Sequence, residues 1–229
     1  IADLRPIISA KLLVEDPVLW NGRKNPYLYT VRCEIFDSTT EEVTDNIDIR
    51  TGLREYHIDS HKGFFLNGEH IKLQGVSRHQ DRENMGNAIT EKQHAEDVKI
   101  ILDVGANSVR LAHYQQNSYF YDLCDESGLL VWAEVPVISR FSPKRNENAE
   151  QQLVELIKQN YNHPSIFCWG IENEITIAGS ANKKLITFLK HMHKVARHLD
   201  PTRYTTCAQL TMCPVNSPLN HITDIIGYN

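Results

Sequence analysis

Leu129-Leu130-Val131-Trp132-Ala133-Glu134 is the stretch on which the fold turns. Five apolar residues in a row end on a carboxylate. A strand with one wet face alternates apolar and polar side chains, whereas an uninterrupted short run suits a strand covered on both faces, as in a parallel sheet. The form recurs at Ser165-Ile166-Phe167-Cys168-Trp169-Gly170-Ile171, which runs into Glu172-Asn173-Glu174. Between the two, residues 148–159 carry Leu153, Leu156 and Ile157 at helical spacing. A strand, a helix and a second buried strand make one βα unit of a parallel sheet.

The rhythm extends both ways. Upstream, residues 119–126 predict a helix stopped near Ser127-Gly128, and Ser108-Val109-Arg110-Leu111 a strand before it. Thr90 can cap a helix to about residue 103, with Ala95, Val98, Ile101 and Leu102 apolar and Gly105 beyond its end. Another strand is predicted at residues 73–76, after a hairpin turned by Asn67-Gly68. Downstream, residues 181–199 predict a helix ended by Asp200-Pro201, followed by strands at 204–208 and 224–228. That gives about six strands and four helices. Residues 1–55 read differently. Tyr29, Val31, Cys33 and Ile35 alternate with Thr30, Arg32 and Glu34, and residues 43–54 supply a further strand or two, about half of a β-sandwich.

The repeated βα units fit an open doubly wound sheet or a closed barrel. No Gly-rich phosphate turn of either nucleotide-binding form is present, which disfavours the open sheet. Polar residues gather instead at strand ends, the habit of a (β/α)8 TIM barrel, whose active site collects side chains from the carboxyl ends of several strands. Such a barrel needs eight strands, so the expectation is an α/β chain with an incomplete barrel over residues 56–229, two-thirds or more of one, behind part of a sandwich over 1–55.

Composition excludes other classes. The 229 residues are 41% apolar and 23% charged, with net charge −5, so nothing draws the chain globally to nucleic acid or anionic lipid. No apolar run approaches a membrane span, and the opening IADLRPIISAKLL lacks the pattern of a signal peptide. Five widely spaced cysteines suggest free, mostly buried thiols, with Cys207 and Cys213 the one feasible pair. Eleven histidines form no HExxH or CxxC pattern, so no metal site is expected.

The strand ends supply the candidate chemistry. Glycosidic cleavage needs a proton for the leaving oxygen and an anion, or an activated water, for the anomeric carbon, and paired carboxylates provide both. Glu174 is the leading proton donor, with Glu172 its competitor and Asn173 able to hold a sugar hydroxyl. Glu134 has either a direct role or an ion pair with Arg110. Arg110 can keep a carboxylate ionised. His113 can donate to hydroxyls, as can His79, while Asp81 accepts from them or pairs with Arg78 or Arg82. Trp132 and Trp169 read as core.

Together these motifs resemble glycoside hydrolase family 2, the group of bacterial β-galactosidases and β-glucuronidases. The likeness rests on Leu19-Trp20 with Pro26-Tyr27-Leu28-Tyr29; Gly52-Leu53-Arg54; Phe65-Leu66-Asn67-Gly68; Gly75 to Asp81 as GVSRHQD; Gly105 to Tyr114 as GANSVRLAHY; Cys124 to Glu134 as CDESGLLVWAE; and Asn162-His163-Pro164-Ser165-Ile166 with Trp169 and Asn173-Glu174. The resemblance implies an immunoglobulin-like sandwich, of which 1–55 is the C-terminal part, before the catalytic barrel. It implies a retaining exo-acting hydrolase that cleaves terminal β-linked sugars, with Glu174 the general acid/base. Asn173 would lie near the 2-hydroxyl, His79 and His113 at the sugar, Arg110 beside the nucleophile, and Glu134 in support. The nucleophile would be another glutamate on a later strand, absent from this chain, so Glu134 and Glu174 are not read as the nucleophile/acid pair. Galactoside is the expected substrate, with glucuronide or mannoside as alternatives, and a non-catalytic carbohydrate-binding fragment is the competing class. The large galactosidases bind magnesium through a Glu and a His two residues apart after this strand end; 135–141 hold no such pair, so no cofactor is expected. A bacterial periplasmic or cytoplasmic setting and a homo-oligomer of the full-length protein complete the expectation.

Overall fold

A computed structural model describes residues 9–229. Residues 1–8, and with them most of the opening stretch discussed above, lie outside the described residues.

Two short strands, β1 (Trp20–Asn21) and β2 (Asn25–Pro26), precede a long antiparallel hairpin of β3 (Tyr29–Phe36) and β4 (Val43–Thr51). Val31 faces Ile49 and Cys33 faces Ile47 across it, as the alternation predicts. Ile35 and Ile47 remain about 60% exposed (62% and 58%), so no second sheet covers this face among the described residues. A meander of β5 (Tyr56–Asp59), β6 (Gly63–Leu66) and β7 (Glu69–Ile71) follows. Asn67 and Gly68 turn its second hairpin with φ of 50° and 80°, the paired positive values that the Asn-Gly signal anticipates.

The rest is α/β: β8 (Gly75–Arg78), α1 (Glu91–Asp103), β9 (Ser108–Leu111), α2 (Ser118–Ser127), β10 (Leu130–Glu134), α3 (Asn146–Asn160), β11 (Ile166–Asn173), α4 (Lys183–Leu199), β12 (Tyr204–Gln209) and β13 (Ile225–Tyr228). The six strands lie side by side in chain order, every pair parallel, with β8 and β13 as the edges. This is the incomplete, open six-stranded barrel that the strand count anticipated, behind a small β domain.

Local chemistry explains the boundaries. Thr90 and Gln93 form a capping box at the start of α1. Asn117 caps α2 by accepting from the Tyr119 N–H, and Asn182 caps α4 through the Leu185 N–H. The predicted strand through Leu73 is divided in the structure. β7 ends at Ile71, and β8 begins at Gly75, where a side chain would meet the Ser108 backbone carbonyl oxygen at 2.8 Å. Two apolar layers result. Leu111, Phe120, Leu153, Leu156, Trp169 and Met192 pack between sheet and helices. Trp20, Phe64, Leu66, Leu130, Phe167 and Cys168 fill the lower end of the barrel, where the β5–β7 meander closes it. Arg54, part-buried there, donates to the Pro164 and Ile166 carbonyls at 2.5 and 2.6 Å, and loss of hydration lowers its pKa to about 10. All five cysteines are free; Cys124, Cys168 and Cys207 are buried, while Cys33 is exposed, so the Cys207–Cys213 pair does not form.

Candidate active site

Trp132 sets the floor of the site. Its neighbours across the sheet are small: a Cβ on Gly170 would lie 2.5 Å from the Trp132 Nε1, and one on Gly227 would lie 2.7 Å from Cη2. The glycines on β11 and β13 therefore admit the indole to the barrel interior. Trp132, read as mainly core, packs against the lower apolar cluster, but its ring is only partly buried and lies under the Arg110 guanidinium, 4.7 Å from its centre. Trp169, in contrast, is core, with its N–H donating to Asp200 at 2.9 Å.

Above this floor the polar ends of three adjacent strands converge. Glu134, at the end of β10, is 1% exposed, a burial a carboxylate tolerates only when paired. Arg110 from β9 meets it in fork geometry, Nε to Oε2 at 2.9 Å and Nη2 to Oε1 at 3.1 Å. His113 Nδ1 lies 2.5 Å from Oε1. Arg110 Nη2 also donates to the Asn173 Oδ1 at 2.6 Å, tying in the end of β11, and Nη1 donates to the Asn229 Oδ1 at 2.9 Å. Asn229 in turn donates to the Asn173 Oδ1 at 3.0 Å. Among the described residues both bonds of the Asn173 side chain thus use its oxygen, leaving its NH2 group unbonded.

Glu174 follows Asn173 directly. It is part-buried, its N–H donates to the Ala208 carbonyl at 2.8 Å, and its backbone is left-handed with φ 48°. No side-chain hydrogen bond holds its carboxyl among the described residues, as suits a group that must meet a ligand. His79, exposed beyond β8, sets its ring edge-on to His113 with centroids 5.2 Å apart, and against Tyr114 at 5.9 Å. The structure therefore brings His79, Arg110, His113, Glu134 and Asn173 together and places Glu174 next in the chain. Asp81 is exposed and makes no ion pair among the described residues. The pairing considered for it with Arg78 or Arg82 does not occur, because Asp97 bonds both arginines and Glu96 takes Arg82 as well.

Two participants escaped the sequence reading. Asn229 was not singled out, although a polar residue just past a strand end was the signal that found the others. Glu172 was weighed only as a rival to Glu174. It is 1% exposed, and burial pushes its carboxyl up to about 7. Among the described residues one group could ligate a metal, Asp122, Asp125 and His163. It lies at the opposite end of the barrel, before β11 begins, and its bonds are spent locally: Asp125 accepts from His163 Nδ1 at 2.6 Å and from the Ser165 N–H at 3.1 Å.

Residues 58–225 match the family model described as the TIM barrel domain of glycosyl hydrolases family 2, and residues 2–54 match a second model described as glycosyl hydrolases family 2. A β-glucuronidase of Bacteroides fragilis is 41% identical over 227 residues, covering 95% of this chain and 31% of that protein. A β-galactosidase of Thermoanaerobacter pseudethanolicus is 32% identical, covering 90% of this chain and 27% of that protein. The crystal structure of an FMN-binding β-glucuronidase from Faecalibacterium prausnitzii L2-6 superposes with TM-score 0.90 at 45% identity, covering 94% of this chain and 33% of that one. The chain thus spans about a third of the length of the relatives it matches.

Proposed function

Because this chain belongs to glycoside hydrolase family 2, we propose that it is part of a retaining exo-β-glycosidase that uses Glu174 as general acid/base. The observation that carries the reading is the Arg110–Glu134–His113–Asn173 cluster at the carboxyl ends of three neighbouring barrel strands, with Glu174 immediately beyond.

The chemistry is double displacement. Protonated Glu174 donates to the glycosidic oxygen while a second carboxylate, about 5–5.5 Å away, attacks the anomeric carbon; Glu174 then takes a proton from the water that releases the sugar. That second carboxylate is expected on a later strand, as the family resemblance implies. Glu134 is unsuited to the attack, since Arg110 and His113 occupy both its oxygens. Its place is to hold Arg110 and His113 still. Asn173, fixed through its oxygen, presents an N–H to a sugar hydroxyl.

The relatives favour glucuronide over the galactoside expected from sequence. Relatives at 41% and 45% identity are described as β-glucuronidases, as are several further solved structures at 31–34%, whereas the β-galactosidase side is a solved structure described as a putative β-galactosidase at 42% and a β-galactosidase at 32%. The full-length protein, assayed with nitrophenyl β-glucuronide, β-galactoside and β-mannoside, should turn over the glucuronide fastest. Glu174→Gln should lower kcat/KM by about 100-fold or more for a benzyl glycoside, whose departure needs a proton, and far less for a dinitrophenyl glycoside. Equal losses on both substrates would remove Glu174 from the role; sugar binding without turnover by the wild type would favour a carbohydrate-binding protein.

A further inference from the structure

Glu172 stands where the strand carrying Glu174 departs from regularity. Gly170 of β11 pairs with Thr206 of β12, but the next pair is Asn173 with Ala208, three residues against two. The extra residue is a β-bulge, a device that re-aims side chains. Cys207 and Gln209, two apart on β12, share the face opposite Ala208, whose partner Gly227 lies against Trp132. Glu172 lies on that face beside the Cys207 thiol, away from the barrel interior.

There its carboxyl does one visible thing. Oε2 accepts the Ile175 N–H at 3.1 Å, closing a ring over Asn173 and Glu174. Within that ring Glu174 adopts φ 48°, a left-handed conformation that strains a non-glycine residue and persists only if its surroundings hold it. The Glu174 N–H bond to Ala208 and the Ile177 N–H bond to the Glu174 carbonyl hold the outside of the turn. Among the described residues Glu172 is the only side chain that bonds its backbone from within.

We propose that Glu172 is a positioning residue: by accepting the Ile175 N–H, its carboxyl holds the turn that aims Glu174 at the glycosidic oxygen. The inference rests on Glu174 being the acid/base, and requires reach to the Ile175 N–H, not charge. Among the described residues Oε1 has no partner, nor does the Oε1 of Gln209, and no cation is bonded to the group.

The test uses the full-length enzyme with Glu172→Gln, which keeps an oxygen at the same reach, and Glu172→Asp, which keeps the acid but withdraws it by one methylene. Both are assayed as kcat/KM, which reports the step in which the glycosidic bond breaks, on benzyl and 2,4-dinitrophenyl glycosides of the sugar that the wild type hydrolyses. Glu172→Gln should stay within about 3-fold of wild type on both, whereas Glu172→Asp should lose about 10-fold or more on the benzyl glycoside and little on the dinitrophenyl one, because only the former needs a well-aimed proton. A loss shared equally by both substrates would mark mere damage to the fold and overturn the proposal. So would an Asp variant as active as wild type, or a Gln variant with the larger selective loss. If the Asp variant does not fold, a selective loss in the Gln variant overturns the proposal by itself, and near-native activity there supports it. Glu174→Gln is the control: without its own leaving-group selectivity, the acid/base reading fails first; with it, only the role of Glu172 is at stake.

Discussion

A carboxyl buried away from cations carries a pH dependence of its own. Among the described residues no cation pairs with Glu172, and burial raises it from the ordinary 4.5 to about 7, with Glu134 adding to the rise and Arg110 opposing it. Between those two values the folded chain keeps a proton that the unfolded chain has released, so stability falls as pH rises through that interval and levels off above it. The loss attached to this group is on the order of 3 kcal/mol. Glu172→Gln should abolish that part of the pH dependence and leave the full-length protein more stable than wild type at pH 8, but not at pH 4.5, as thermal unfolding at the two pH values would show. The residues of the site were legible in proportion to how badly they fitted their strands. Arg110, Glu134 and Asn173 stand out as polar ends of apolar runs, and His113 by its spacing from Arg110. Asn229 did not, because its bond to Arg110 depends on which strands the closing sheet brings near each other, a distance of 119 positions in the chain.

The elements themselves were legible where periodicity and caps agreed. The helices and strands around them appear close to where they are read, and the differences have local causes. α3 begins at Asn146 rather than near 148, because a 3-10 turn opened by Pro143 leads straight into it. The β11 bulge could not be read, since a strand apolar on both faces loses the alternation that would reveal a slipped residue. Gly128 shows what an element end demands. It closes α2 with φ 70°, and a Cβ there would lie 2.2 Å from the Gly22 backbone, so the β domain and the barrel touch through two glycines. Gly105 also has positive φ, 81°, but open space around it. Gly105→Ala should therefore cost about 1 kcal/mol from its conformation alone, and Gly128→Ala about 2–4 kcal/mol from conformation and collision together. Comparing the thermal unfolding of the two variants isolates the contact; equal losses would mean that Gly22 gives way freely.

Across the whole molecule, the architecture of an open parallel barrel behind a small β domain could be argued from strand count and strand-end polarity. The choice of sugar could not, because nothing among the residues at these strand ends demands a uronate over a neutral sugar. The open sheet has a physical consequence. Its edge strands expose Val76 and Ile226, 37% each, and the β3–β4 hairpin exposes Ile35, Phe36 and Ile47. Free strand edges and uncovered apolar faces invite pairing with other copies. Residues 1–229 expressed alone should bind a hydrophobic dye and elute as aggregates or oligomers in size-exclusion chromatography, whereas the full-length protein should not bind dye appreciably. A dye-silent monomer of the short chain would contradict this.

The room that Gly170 and Gly227 make for one indole also gives the protein an optical gauge. Of its three tryptophans, Trp20 and Trp169 are fully enclosed with their N–H groups bonded. Among the described residues Trp132 alone of the three has an unbonded N–H, and Arg110 lies over its ring, so the colour of its emission follows the electric field at the barrel mouth. An anion arriving beside Arg110 changes that field before any bond is broken, and fluorescence can time the arrival separately from the chemistry.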